Sequence, residues 1–181
     1  MIRTLLLIAF VADTLDALAQ HHYVPASTSS ISFTIENFGV SVHGSFGALA
    51  GEVFYDPANP QQSNFNIVVP INTLTTGIAL RDKHLKKEDY FDADHYANMR
   101  FVSDTALLDG SSGTIKGLLT IKNITLPIVI KCKVASTVEA VLWEGDFELD
   151  RRDYTVGGNS ISMSDVVKVK VKLVCSQREG Q

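Results

Sequence analysis

Excess positive charge is the first thing that this sequence lacks. Lysine and arginine together number 16 against 20 aspartate and glutamate residues, and the formal net charge is −4. A protein that binds a nucleic-acid backbone needs a surplus of cationic side chains to neutralise the phosphates. We therefore expect no nucleic-acid partner.

The patterns of nucleophilic catalysis are missing as well. The chain has no Gly-x-Ser-x-Gly segment, and neither of its 2 cysteines has a histidine beside it, so no serine or thiol is placed for activation by a base. His43 and Ser45 are close in the sequence, but Gly44 and Phe46 next to them are typical of a turn, and we interpret the two as a surface pair. The prediction is that this protein is not an enzyme and has no catalytic residue.

Long apolar runs are absent too, and the run at the amino terminus is short. TLLLIAFVA, from Thr4 to Ala12, follows Arg3 and precedes the small-x-small triplet Ala17 to Ala19. This order predicts a signal peptide over residues 1–19, because the run is too short to span a bilayer. Asp13 and Asp16 lie between the apolar run and the alanine triplet. Acidic residues are unusual at this place in a signal peptide, so an uncleaved anchor or an ordinary amino-terminal helix remains the alternative. We expect residues 20–181 to form the mature domain and to be periplasmic or secreted.

Cleavage after Ala19 would make Gln20 the first residue and His22 the third. A histidine third from a free amine can surround Cu(II) with nitrogen ligands. Cyclisation of Gln20 would remove that amine. We predict no metal site, and the metal binding of this histidine pair stays open at this stage.

Cysteine is scarce, and its two positions are informative. Counting in twos places Cys132 and Cys175 on the apolar faces of their predicted strands. An export compartment permits disulfides, but whether these two pair depends on which strands are neighbours. A disulfide and two buried free thiols remain the alternatives.

What the sequence has in abundance is the two-residue alternation of half-buried strands. In SISFTIENF, Phe33 and Ile35 alternate with Thr34 and Glu36, and DVVKVKVKLVC near the carboxyl end sets apolar residues against lysines. Further strands are predicted in NFNIVVPINTL, over 114–122 and 126–134, and around Phe147. No repeat or low-complexity segment occurs. With 181 residues and 45% hydrophobic content, the chain suits one antiparallel barrel or sandwich.

Two features interrupt the strands. Thr76 to Tyr90 is predicted as the one helix, with a threonine cap and an apolar side that includes Ile78, Leu80 and Leu85. Asn123 is expected to make the turn of a hairpin, because asparagine tolerates the left-handed backbone conformation.

The segment RDKHLKKEDYFDADHYANMRF, Arg81 to Phe101, concentrates ionisable side chains. Arg81 and His84 lie one helical turn apart and can reach one polar group, such as a ligand head group or a carboxylate at a strand end. In the structural alternative, Arg81 and Asp82 hold a lid helix on the barrel. A metal site here would use both histidines and acidic residues of the segment. The segment has no tight His-x-x-x-His spacing, and this absence disfavours a metal site. Its candidate ligands are His84, His95, Asp92 and Asp94.

Several stretches together resemble the YceI-like polyisoprenoid-binding family. SFTIENFGVSVHGSFGALAGEVFYD is similar to its opening strands, and the RDKHL segment followed by Phe-Asp is similar to its most specific motif. GLLTIKNITLPIVI resembles its hairpin, and DRRDYTVGG with SDVVKVKVKL resembles its closing strands. The resemblance covers Ser27 to Cys175.

The resemblance implies an all-β fold, an eight-stranded antiparallel lipocalin-like barrel with one short lid helix, that holds a long apolar chain in its lumen. An eight-stranded barrel has room for one slender ligand. The ligand is expected to contact Phe33, Ile35, Phe46, Arg81, His84, Leu85, Phe91, Phe101, Trp143, Phe147 and Leu149.

The function predicted from all of this is non-catalytic binding of a long-chain lipophile, of polyisoprenoid or isoprenoid quinone type, for transport, storage or sequestration. A bound lipid is expected and no other cofactor. Transient membrane contact for ligand exchange and homodimer formation are both left open. The alternatives are a metal-dependent or hydrolytic enzyme that uses the cluster of His84, His95 and aspartates, and a structural or stress-related barrel without cargo.

Overall fold

The computed structural model describes residues 21–137 and 140–178, most of which lie in strands. The predicted signal peptide lies outside the described residues. The strands are β1 (His21–Pro25), β2 (Ser30–Asn37), β3 (Val40–Phe46), β4 (Ala50–Tyr55), β5 (Asn64–Pro70), β6 (Asn98–Asp109), β7 (Ser112–Ile121), β8 (Ile124–Ser136), β9 (Ala140–Asp150) and β10 (Val166–Gln177).

These strands form one antiparallel sheet that closes on itself. The order is β1-β4-β5-β6-β7-β8-β9-β10-β2-β3, and β1 also pairs with β10. Along one edge of β10, residues 168–172 pair with β2 and residues 175–177 pair with β1. β1 and β2 are therefore two halves of one long strand, and β3 and β4 are halves of the next. Counted in this way, the predicted eight-stranded antiparallel barrel is confirmed.

The helix is shorter than the sequence predicts. α1 runs over Ala79–Leu85, not over Thr76 to Tyr90. Gly77 has a φ of 79°, which is left-handed, so no helix can pass through it. After Leu85 the chain continues in tight turns, in which the amide of Lys87 donates to the carbonyl of His84 at 3.1 Å. No helix among the described residues is long and apolar enough to cross a membrane.

The hairpin between β7 and β8 turns at Lys122 and Asn123, which confirms the predicted position of the turn. Lys122 has the positive φ, 55°, and Asn123 is not among the described residues with positive φ. Lys122 is held in place by its ammonium group, which donates to the carbonyls of Glu88 at 3.2 Å and Thr155 at 3.3 Å. Asn123 thus lies in the turn as predicted, but the left-handed conformation expected of it is adopted by Lys122.

The barrel interior is filled at one end only. We call that end the packed half, and it is centred on Trp143, whose ring meets the rings of Tyr55 at 5.1 Å and Phe65 at 4.9 Å edge-on. Val53, Val141 and Cys175 beside them are completely buried. Other buried members of the packed half are Tyr23, Ala106, Leu108, Ile115, Cys132, Val134 and Leu173.

The two cysteines lie in the packed half and are free. Cys132 is on β8 and Cys175 is on β10, and β9 pairs with both strands and so lies between them. Neighbouring strands are about 4.8 Å apart, so two strand spacings exceed the roughly 7 Å that a disulfide can bridge between Cα atoms. Of the two alternatives, buried free thiols are the one that the fold permits.

Candidate functional site

The opposite end of the barrel encloses an apolar cavity of about 280 Å³. We call this end the hollow half. Its walls come from β2, β3, β5, β6, β7, β9 and β10, with α1 and the segment after β9 closing the end. The lining residues are Ile31, Phe33, Ile35, Asn37, Val42, Phe46, Val69, Arg81, His84, Leu85, Tyr90, Phe91, Met99, Leu119, Ile121, Phe147, Leu149, Arg151, Tyr154, Val156, Met163, Val167 and Val169.

Strand alternation accounts for most of this lining. The inward face of β2 carries Phe33 and Ile35, as predicted, and the inward face of β9 carries Phe147 and Leu149. Nine of the eleven residues predicted to contact a ligand line the cavity. They are Phe33, Ile35, Phe46, Arg81, His84, Leu85, Phe91, Phe147 and Leu149.

The other two, Phe101 and Trp143, point inward but do not line the cavity. Trp143 lies four residues from Phe147 on β9, which is about 13 Å further along the strand, in the packed half. Phe101 packs across Gly117 on the neighbouring strand, where a Cβ would come within 2.7 Å of the Phe101 ring. Alternation gives the face of a strand and not the depth in the barrel, and contact of these two residues with a ligand stays a prediction.

An aromatic row crosses one side of the cavity. The rings of Phe33 and Phe46 are 5.7 Å apart, and the rings of Phe46 and Phe91 are 5.6 Å apart and edge-on. Phe33 can lie across β3 because residue 44 is glycine, since a Cβ there would be 2.2 Å from the Phe33 ring. Rings in such contacts are attractive to one another and to apolar chains.

Polar contacts hold α1 over the cavity. The Arg81 guanidinium donates to the hydroxyl oxygen of Thr76 at 2.8 Å and to its carbonyl at 2.9 Å. The Asp82 carboxylate accepts from the Thr76 amide at 2.8 Å, and its hydrogen bonds with Thr76 hold its pKa below the usual range. Thr75 in turn pairs with Ser45 of β3. Arg81 and Asp82 thus fasten the helix to the barrel, as the structural alternative predicts, while Arg81 also borders the cavity.

A polar pocket adjoins the cavity and shares two residues with it, His84 and Tyr90, whose rings are 4.9 Å apart. Carboxylates of Glu88 and Asp89 border this pocket together with Lys122. The pocket has more acidic than basic groups, so a ligand whose tail lies in the cavity meets a polar, mildly acidic surface at its head.

The proposed metal and catalytic clusters do not assemble. His95 pairs with the nearby carboxylate of Asp92 at 2.8 Å, which raises the pKa of His95, whereas the His84 ring meets the Tyr90 ring edge-on. Within residues 21–137 and 140–178, no three His, Cys, Asp or Glu side chains are grouped to hold a metal ion. His43 hydrogen-bonds with Thr34 at 3.0 Å. His22 of the amino-terminal pair stacks on Phe54 at 4.7 Å.

Arg151 is a central residue that the sequence analysis did not single out. It is buried, and its guanidinium donates to the carbonyls of Ser164 at 2.9 Å, Val156 at 2.9 Å and Gly158 at 2.7 Å, and to Asp165 at 3.0 Å. These bonds fix the segment after β9 against the cavity. The signal that could have pointed to it is the DRRDYTVGG stretch, but the local pattern does not distinguish the buried Arg151 from the exposed Arg152 next to it.

The comparisons with known proteins agree with this architecture. A YceI-like domain model matches residues 23–175. A UPF0312 protein of Photorhabdus laumondii is 30% identical over 129 residues, which is 70% of this chain and 67% of that protein. Protein YceI of Shigella flexneri is 30% identical over 128 residues, which is 70% of this chain and 63% of that protein.

Solved structures show the same fold. The Burkholderia cenocepacia protein BcnA superimposes with a TM-score of 0.78 at 24% identity, over 83% of this chain and 98% of that one. A polyisoprenoid binding domain from Saccharophagus degradans, implicated in plant cell wall breakdown, gives 0.67 at 14% identity, over 88% of this chain and 100% of that one. With the family model covering most of the chain and the barrel reproduced in both structures, this protein belongs to the YceI-like family.

Proposed function

We propose that this protein is a non-catalytic carrier that holds a long-chain lipophile, of polyisoprenoid or isoprenoid quinone type, in the hollow half of its barrel. The observation that carries the proposal is the cavity of about 280 Å³ with an almost entirely apolar wall. The polyisoprenoid binding domain from Saccharophagus degradans, which has the same fold, supports the choice of ligand class.

Burial of hydrocarbon supplies the affinity. Each methylene removed from water contributes about 0.8 kcal/mol, so a chain is retained without a strong polar contact. Because a cavity of about 150 Å³ binds benzene, the cavity of this barrel holds roughly two isoprene units in its present shape. A longer chain needs more room. The additional room lies between β8 and β9. These strands pair only as far as Lys131 and Asp146, although both continue beyond that pair towards the hollow half, so the wall can open there.

Ligand exchange at a membrane is the second part of the proposal. Phe38, Val40 and Ile161, which we call the rim patch, are exposed beside the cavity. The Phe38 amide donates to the carbonyl of Ser162 at 2.8 Å, which brings Ile161 next to the hairpin tip. Phe38 is 83% exposed and has a φ of 52°. Both features are unfavourable for a bulky apolar residue, and the barrel does not need such a residue at this turn in order to form.

The rim patch is continuous with the cavity wall. Val40 lies on the same face of β3 as Val42 and Phe46, and Asn37 at the end of β2 pairs with Met163. A lipid that leaves the cavity past these residues meets apolar side chains along its whole route. The occupant that fits this patch is the bilayer interface, where exposed aromatic and aliphatic side chains gain free energy by insertion.

Extraction of the purified protein with organic solvent, followed by mass spectrometry, tests the binding function. We expect an isoprenoid-type lipid in stoichiometric amount and no tightly bound metal in a parallel elemental analysis. A protein without lipid that hydrolyses esters or requires a metal for turnover would support the enzyme instead. Intact-mass measurement of exported protein tests the signal peptide, and a chain that still begins at Met1 would exclude cleavage.

Co-sedimentation with phosphatidylcholine vesicles tests the rim patch. Replacement of Phe38 and Ile161 by serine should reduce vesicle binding and the rate of lipid transfer, and should leave lipid content unchanged. Leu107 is also exposed but lies on β6 at the packed end, so Leu107→Ser is the matched control. Equal vesicle binding by the rim variant and the wild type would exclude this surface.

A further inference from the structure

Two polar atoms in the cavity wall have no partner. In the part of the chain that the structure describes, four buried side-chain atoms lack a hydrogen bond, and two of them are the Oδ1 atom of Asn37 and the hydroxyl of Tyr154. Both residues line the cavity. Tyr154 is only 2% exposed, so its hydroxyl is enclosed by an otherwise apolar wall.

An unpaired hydroxyl of this kind is unusual, because a buried polar group without a partner loses its hydrogen bonds to water and gains none in return. The surrounding segment is able to satisfy buried groups, since Arg151 beside it binds five oxygens. Burial raises the pKa of Tyr154 to about 12, so the hydroxyl keeps its proton and remains a hydrogen-bond donor. An oxygen acceptor is the group that it lacks.

The charged groups around the cavity are already engaged. The Arg151 guanidinium binds backbone carbonyls and Asp165, the Arg81 guanidinium binds Thr76, and the Lys122 ammonium binds two carbonyls. Glu88 and Asp89 border the adjoining polar pocket. A phosphate or carboxylate head would therefore meet acidic neighbours and cations that are already bound, which disfavours an anionic ligand.

We propose that the Tyr154 hydroxyl donates a hydrogen bond to an uncharged oxygen on the ligand, with Asn37 as the second polar contact. The ligand class is then a neutral, oxygen-bearing lipophile such as a prenyl alcohol, whose hydroxyl accepts from Tyr154 and donates to the Asn37 Oδ1 atom, and not a prenyl phosphate. The Tyr154 hydroxyl selects the ligand, whereas the Tyr154 ring packs in the core. This inference rests on the proposed function and specifies the head group for the same cavity.

The test uses the full mature chain, stripped of lipid, and three ten-carbon probes: geraniol, the hydrocarbon myrcene and geranyl phosphate. A chain of this length matches roughly the two isoprene units that the cavity holds. The wild type should bind geraniol more tightly than myrcene or geranyl phosphate. Tyr154→Phe should weaken geraniol binding about three- to tenfold, the usual value of one hydrogen bond, and should leave myrcene binding unchanged.

Two further measurements separate selection from support of the fold. Because the hydroxyl has no protein partner, Tyr154→Phe should not lower the melting temperature of the lipid-free protein. Asn37→Ala should also weaken geraniol binding relative to myrcene. Tyr55→Phe, in the packed half, is the matched control and should change neither probe.

The outcomes distinguish this inference from the proposed function. Binding of geraniol and myrcene with equal affinity by the wild type and by Tyr154→Phe would overturn the role of Tyr154 and leave the lipid carrier intact. Tighter binding of geranyl phosphate than of geraniol would overturn the choice of a neutral head. Binding of no probe at all would overturn the proposed function together with this inference.

Discussion

The packed half and the hollow half of the barrel are made by the same long strands, yet their interiors differ in how tightly side chains fill them. On β9, Trp143 is buried against Tyr55 and Phe65, whereas Phe147, four residues later, is half-buried and borders the cavity. Edge-on aromatic contacts fill the first end, whereas the side chains of residues 21–137 and 140–178 leave a cavity in the second. Stability is concentrated in one half, which leaves the other free to hold a ligand.

The largest expected difference comes from removing one phenylalanine ring in each half. Phe65→Ala should lower the free energy of unfolding by about 3–5 kcal/mol, because it opens a new cavity beneath Trp143. Phe147→Ala should cost only about 1–2 kcal/mol, since a half-buried ring beside an existing cavity loses less burial. Denaturant unfolding of the two lipid-free variants measures both.

The same two variants should also differ in the lipid that they bind. Phe147→Ala should change which chain lengths are extracted with the protein, whereas Phe65→Ala should retain the wild-type lipid at temperatures where it is folded. Equal stability losses at the two positions would show that the hollow half is as tightly packed as the other.

A smaller difference is expected from adding one methyl group to a glycine in each half. At Gly113 a Cβ would lie 2.1 Å from the carbonyl oxygen of Leu107 and 2.8 Å from the Cα of Leu108, which are backbone atoms that cannot move aside. Gly113→Ala should destabilise by about 1–3 kcal/mol or more. At Gly44 the obstacle is the Phe33 ring, which can swing into the cavity.

Gly44→Ala should therefore change stability little and instead reduce the space for ligand, which lowers lipid content. Thermal melts and lipid extraction on both variants check this prediction. Gly47→Ala, where a Cβ meets nothing within 4 Å, is the control. A large loss of stability in Gly44→Ala would mean that Phe33 is fixed and that the hollow half is rigid.

The smallest expected effect concerns the two thiols of the packed half. Burial raises the pKa of Cys132 to about 11 and that of Cys175 to about 12, so both stay protonated and unreactive at pH 8. Ellman's reagent should label neither thiol in the folded protein and both after denaturation. A reductant should leave the melting temperature unchanged, because there is no disulfide to break. Rapid labelling of the native protein would show that the packed half opens.

Much of the fold follows from local pattern. Phe33 and Ile35 alternate with polar neighbours, and a strand with one apolar and one polar face has to bury the first against another sheet face. This alternation was enough to predict an antiparallel barrel or sandwich and the inward faces of β2 and β9, and the resemblance to the YceI-like family selected the barrel. The helix ends were harder, because the left-handed φ of Gly77 depends on the path that joins Thr75 to Ser45.

The sequence by itself determined the fold class, the family and the direction in which each strand faces, because these depend on periodicity and on short motifs. Only the tertiary structure decided the depth of each residue along the barrel, and hence that Phe147 borders a cavity while Trp143 fills a core. It alone showed that β9 separates the two cysteines and that Tyr154 has an unpaired hydroxyl. Depth, separation and pairing depend on which strands become neighbours and at what register, and contacts between distant segments are not encoded in any single stretch of the chain.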